Sequence, residues 1–169
     1  MKTTWTTRLP WLLLPLVSLG LDAWSKAAIL ARFHPGEVRP VIPGFFNLTL
    51  GFNPGAVFGS FAGASEGFRT VLFLVVGLAA VLYFGYEFLK AGTPTLMRWA
   101  YGLILGGALG NGLDRLTRGA VVDFLDFYYG TWHYWTFNIA DCCIVCGAIL
   151  LGLGMLIQWR RASRRAESA

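Results

Sequence analysis

Four runs of about 20 mainly apolar residues dominate this chain, each long enough to cross hydrocarbon as a helix rising about 1.5 Å per residue. They cover roughly Leu9 to Ile29, Val71 to Leu89, Met97 to Thr117 and Asn138 to Gln158. A bilayer satisfies no backbone N–H or C=O, so such runs fold as helices and turn what polarity they carry toward one another. With 56% hydrophobic and only 14% charged residues, the fold class is membrane all-α, a four-transmembrane-helix bundle. The 169 residues suit a single integral membrane domain, 1–169. Lys2 and Arg8 ahead of the first run resemble a secretory leader. Asp22 and Lys26 interrupt that run, however, and no small-x-small cleavage site follows, so it reads as an uncleaved span.

Lys and Arg alternate in density between the connections. Lys2 and Arg8 precede the first run, Lys90 and Arg98 flank the second connection, and Arg160, Arg161, Arg164 and Arg165 follow the last. The positive-inside rule therefore places both termini in the cytoplasm and the first and third connections outside. The net charge of +5 is this flanking charge, not a basic stripe interleaved with exposed aromatics, and nucleic acid is excluded as a partner. Arg39 to Phe58 is rich in β-branched and aromatic residues punctuated by Gly and Pro, which predicts short strands and turns. Ala120 to Phe137 extends that small extracytoplasmic β-sheet or lies at the interface, where Trp132, Tyr134 and Trp135 suit an aromatic belt. Phe61 to Phe68 is expected to form an interfacial helix.

With this topology, Asp22, Lys26, Asn111, Asp114, Arg115, Asp123, Asn138 and Asp141 all converge at the outer end of the bundle. Ionisable groups at such depth pair, line a wet cavity or do chemistry. Asp22 and Lys26, spaced i,i+4, read either as a neutralising ion pair or as a substrate-positioning pair. Asn111, Asp114 and Arg115 share one helix face. Arg115 is suited to bracing, to orienting a carboxylate or the loop backbone, or to holding a lipid phosphate. Asn53-Pro54-Gly55 reads as a turn, or as a place where an Asn binds substrate backbone. Gly102, Gly106 and Gly110 form a small-residue stripe for close helix packing, with Ala148 and Gly152 expected to serve the same end on the fourth run.

Asp123 and Asp141 flank the short outer loop. Two carboxylates in one desolvated site cannot both ionise easily, so the pair retains a proton. One member then activates water while the other donates to a carbonyl oxygen. Asp126 competes for the first role but is expected to be solvated. Cys142, Cys143 and Cys146 lack a second Cys/His cluster and read as packing residues, so neither metal nor other cofactor is expected. The rival function is a small proton- or ion-coupled membrane transporter. That would spread polar groups through the membrane depth, whereas the inner halves of the second and fourth runs carry almost none.

The segments Asp22-Ala-Trp-Ser-Lys26, Asn53-Pro-Gly-Ala-Val-Phe58, Gly106-Gly-Ala-Leu-Gly-Asn111-Gly-Leu-Asp114-Arg115, Val121-Val-Asp-Phe124 and Phe137-Asn-Ile-Ala-Asp141 resemble, in order, the motifs of the lipoprotein signal peptidase (signal peptidase II) family. The resemblance covers essentially the whole chain. It implies an aspartyl endopeptidase of the bacterial inner membrane that cleaves diacylglyceryl-modified prolipoproteins just before the lipidated cysteine. Carried over position by position, the family's catalytic pair falls on Asp123 and Asp141. Its supporting positions fall on Asp22, Lys26, Asn53, Gly55, Asn111, Arg115 and Asn138. Membrane lipid and the family-type inhibitor globomycin, bound at the dyad, are the further partners it implies. Val57 departs from the family pattern, where a smaller residue is common.

Overall fold

The computed structural model describes residues 9–55 and 65–167. Val57 and residues 61–64 of the expected interfacial helix lie outside the described residues. Four long helices are present: α1 (Leu13–Leu30, after a 3-10 turn Leu9–Leu12), α2 (Glu66–Leu89), α3 (Thr95–Arg118) and α4 (Ile139–Glu167). Phe68, assigned from sequence to the interfacial helix, instead lies in the first turn of α2, where its N–H donates to the capping Ser65 hydroxyl at 3.3 Å. The last helix runs well beyond Gln158, through all four arginines.

Among the described residues, three helices are long and apolar enough to cross a membrane, over Pro10–Leu30, Gly67–Leu89 and Ile139–Glu167. α3 has comparable length, but it carries Arg98, Asp114, Arg115 and Arg118 together with a run of glycines. Its buried residues include Gly102, Gly106, Gly107 and Gly110, which places it among the other helices. A Cβ at Gly102 would come within 2.6 Å of Leu14 Cδ2, and one at Gly110 within 2.5 Å of Asp22 Oδ2. The expected glycine stripe is therefore the surface on which α1 rests.

The partner surface on α4 differs from the one expected. Ala148 and Gly152 are exposed, and a Cβ at Gly152 would meet nothing within 4 Å. The buried positions are Ala140, Gly147 and Gly154, a seven-residue repeat that stays on one side of a helix. A Cβ at Gly147 would lie 2.8 Å from the Ala100 carbonyl oxygen. Sequence offered two sets of small residues on α4, and only contact with α3 distinguishes them.

Four strands, β1 (Val38–Ile42), β2 (Phe46–Asn53), β3 (Val121–Tyr129) and β4 (Trp132–His133), form an antiparallel sheet in the order β1-β2-β3-β4. Both connections expected to be strand-rich contribute to it. β2 gains one residue on β3 between Leu48, paired with Leu125, and Gly51, paired with Asp123. This bulge bends β2 where it passes the third residue of β3. The sheet rests on the helix ends through Ile29, Leu50, Val122 and Phe124, with Leu30, Phe33 and Ile139 packed around them. Phe137 exchanges backbone hydrogen bonds with Leu125. The start of α4 is thereby stitched to β3, and the residues that follow Phe137 are delivered beside Asp123.

Candidate active site

Asn138 caps α4. Its Oδ1 accepts the Asp141 N–H at 2.9 Å, and Asp141 Oδ2 accepts the Asn138 N–H at 3.2 Å. This reciprocal capping box fixes the Asp141 carboxylate against the first turn of its own helix. The Asn138 side-chain amide, fully buried, donates to Asp123 Oδ1 at 2.7 Å. It also approaches Asn111 Oδ1 at 3.2 Å and the Val122 carbonyl at 3.3 Å. One asparagine therefore touches both carboxylates, which sit on different elements and 18 positions apart in sequence.

The second Asp123 oxygen accepts from Asn53 Nδ2 at 3.0 Å. Asn53 Oδ1 in turn accepts the Gly55 N–H at 3.0 Å, so the expected turn is present and its asparagine also reaches the acid. Arg115 closes the ring, with Nη2 donating to the Gly55 carbonyl at 3.2 Å and Nη1 to the Asn111 carbonyl at 3.3 Å. Its guanidinium lies 5.0 Å from the centre of the Phe73 ring. Of the roles open to Arg115, contact with the loop backbone is the one observed. Asn111 Nδ2 donates to Asp141 Oδ1 at 2.7 Å.

Beneath this ring lies a buried charge cluster. Lys26 Nζ is 2.7 Å from Asp22 Oδ2 and 2.8 Å from Asp114 Oδ2, and donates to Asn111 Oδ1 at 3.2 Å. Asp22 Oδ1 accepts the Ala140 N–H at 2.9 Å, and Asp114 Oδ2 accepts the Val122 N–H at 3.2 Å. Asp114 Oδ1 pairs with Arg118 at 2.8 Å. The dyad and the supporting positions expected from sequence, nine polar side chains and the Gly55 backbone, thus belong to one connected network.

Asp123 is 4% exposed, and burial raises its pKa from the ordinary 3.8 to about 6. The negative charge of Asp141 adds to the rise, while the amides of Asn53 and Asn138 and the charge of Lys26 oppose it. A carboxyl that holds its proton to about pH 6 beside a second carboxylate is equipped for general acid–base work. Among the described residues, no group of three or more His, Cys, Asp or Glu side chains is placed to hold a metal ion.

Asp126 departs from expectation. It is 6% exposed, with Oδ2 accepting from Asn47 at 2.8 Å and Oδ1 paired with His133 Nδ1 at 2.8 Å. The signal was present in the sequence: period-two alternation along β3 puts Asp126 on the same face as Val122 and Phe124. The same alternation puts it on the opposite face from Asp123. Asn47, Ala140 and Val122 were also missed as contributors, the last two because they reach the site's polar groups through their backbones.

Buried polar groups gathered under a small sheet at one end of apolar helices define a multi-pass membrane protein built around a carboxylate site. The family model described as signal peptidase (SPase) II matches residues 14–157. The lipoprotein signal peptidase of Ralstonia nicotianae is 47% identical over 152 residues, 90% of this chain and 87% of its own. That of Neisseria meningitidis serogroup C is 42% identical over 157 residues, 93% and 95% respectively. A solved bacterial membrane enzyme superposes with a TM-score of 0.77 at 30% identity, covering 87% of each chain. The chain belongs to the signal peptidase II family of aspartic-type peptidases.

Proposed function

We propose that this protein is one peptidase domain that removes signal peptides from diacylglyceryl-modified prolipoproteins, with Asp123 and Asp141 as the catalytic pair. The substrate class comes from the family. The observation that carries the residue assignment is Asn138, whose amide binds one carboxylate while its backbone N–H binds the other. Asp123, the more buried acid with the raised pKa, holds the shared proton, and Asp141 acts as base.

In the forward step Asp141 takes a proton from water as the water oxygen bonds to the scissile carbonyl carbon. The Asp123 proton moves to the carbonyl oxygen. The tetrahedral intermediate collapses when the C–N bond breaks and the amine nitrogen takes the proton from Asp141. The carbonyl re-forms and returns its proton to Asp123, so the pair ends as it began. Asn53, Asn111 and Asn138 hold the two carboxylates through this exchange. Arg115 holds the Gly55 loop beside them.

On this reading all four helices span the bacterial inner membrane. α3 is shielded by α1, α2 and α4, both termini lie in the cytoplasm, and the sheet lies outside. The acyl chains of the substrate occupy the outer leaflet and hold the peptide bond before the lipidated cysteine at the depth of the dyad, which supplies part of the rate through positioning. Globomycin binds at the same carboxylates. The test is cleavage of a lipidated prolipoprotein by purified Asp123→Asn, Asp141→Asn and Asp126→Asn. The first two abolish turnover and the third retains most of it. Substantial turnover by either of the first two removes the assignment, and equal rates on lipidated and unlipidated precursor remove the depth argument.

A further inference from the structure

Each of the two reacting residues is preceded in the chain by a residue whose N–H is held by a buried carboxylate. Ala140, before Asp141, is held by Asp22, and Val122, before Asp123, is held by Asp114. Both carboxylates are bound by the same ammonium, that of Lys26, at 2.7 and 2.8 Å. The third donor of this ammonium reaches Asn111, whose amide holds the Asp141 carboxylate. Lys26 lies on α1, Asp123 on β3 and Asp141 on α4, so one side chain ties together the two elements that carry the reacting pair.

Arg118 already pairs with Asp114, so Asp22 alone would balance the Lys26 charge; Lys26 nonetheless binds both carboxylates, and each of them also accepts a backbone N–H. Side-chain exposure is 4% for Lys26, 1% for Asp22 and 5% for Asp114, so water does not substitute for any of these bonds. We propose that Lys26 is a positioning residue that sets the separation of the two reacting carboxylates, one arm through Asp22 and Ala140 and the other through Asp114 and Val122. This deepens the dyad reading and rests on it.

The charged groups around this ammonium are Asp22, Asp114, Asp123 and Asp141 on the negative side and Arg115 and Arg118 on the positive. Lys26→Met strands the buried Asp22 carboxylate, leaves Asp114 with Arg118 alone and threatens folding. The informative variant is therefore the triple Asp22→Asn/Lys26→Met/Asp114→Asn. Its new amides still offer an oxygen to the Ala140 and Val122 N–H groups, but no ammonium links the arms. Turnover of a lipidated prolipoprotein is measured against pH, with Lys26→Arg as the partial rescue.

The expected result for the triple variant is a fall in kcat of about 100-fold, the scale on which an ångström of misplacement acts, with KM within about threefold. Lys26→Arg recovers part of kcat. A triple variant with the parent kcat overturns the proposal. So does a fall in folded yield alone with unchanged kcat per folded molecule, or failure of both variants to fold, since each marks a scaffold role. Asp123→Asn run alongside separates the two readings, because turnover by that variant sinks the dyad itself whatever Lys26 does.

Discussion

Replacing Asp123 by Asn should abolish turnover and yet make the protein more stable at alkaline pH, with the effect reversing in acid. Asp123 titrates at about 6 in the folded protein against an ordinary 3.8. Between those values the folded state holds a proton that the unfolded chain releases, so stability falls as pH rises through that window and is lowest above it. The difference of about 2.2 units, at about 1.36 kcal/mol each, is a penalty of about 3 kcal/mol for the ionised form. An amide escapes it. The amide carries its own cost, because Asn53 and Asn138 each donate to an Asp123 oxygen, and one of them would then face an N–H. That mismatch costs about 1–2 kcal/mol. Asp123→Asn is therefore more stable than the parent by about 1–2 kcal/mol at pH 8, and less stable by a similar amount at pH 4. Thermal unfolding of both proteins in one detergent from pH 4 to pH 8.5 measures this. Midpoints that run parallel across the range would refute the buried-carboxyl argument.

Asn53→Ala removes one donor to the ionised Asp123, so its pKa and the matching limb of the pH–kcat profile move up from about 6; an unmoved limb shows that this bond is absent in solution. Gly110→Ala drives a methyl toward Asp22 Oδ2 and should lower both the thermal midpoint and activity, an overpacking cost of about 1–3 kcal/mol. Gly112→Ala, on the same helix but facing open space, should raise the midpoint through helix propensity worth about 0.5–1 kcal/mol. Arg115→Lys places a point charge where two nitrogens reach two carbonyls; activity should fall about tenfold and Arg115→Ala should fall further, as comparison of kcat/KM will show. Joint replacement of Cys142, Cys143 and Cys146 by Ala should leave kcat/KM within about twofold, since all three are free thiols and none of their side chains bonds to either carboxylate.

Apolar runs interrupted at one end by charge were enough to place the helices, apart from the extension of α4 through the four arginines, and to gather the polar positions. Asp22 and Lys26 show how far that reasoning reaches. Their spacing gives the ion pair, but not the fact that both serve groups on other elements, because Asp114, Asn111 and Ala140 arrive only through tertiary packing. Asp126 went astray for a different reason. It was judged by its neighbours in sequence, whereas a strand is read by every second residue, and on that count it shares the covered face of Phe124. The choice between Gly147 and Gly152 was beyond sequence, since both lie on smooth helical periodicities and only the seating of α4 on α3 selects one.

The polarity of α3 also bears on how the chain is assembled in the cell. A helix carrying Arg98, Asp114, Arg115, Arg118 and several glycines partitions poorly into lipid by itself, because each acid or base carries a cost that reaches about 2.5–3.5 kcal/mol at a helix centre on the translocon scale. α2 is strongly apolar, and only Lys90 to Pro94 separates it from α3. On the proposed four-span reading the two therefore enter the bilayer as a hairpin, with α2 supplying the driving force. α3 then waits for α4, whose Gly147 and Gly154 cover it and whose first turn receives the Asp22 carboxylate. On the proposed assignment the site is therefore completed late: until residue 141 has emerged and α4 has docked, the nascent enzyme holds one acid of the pair and cleaves nothing.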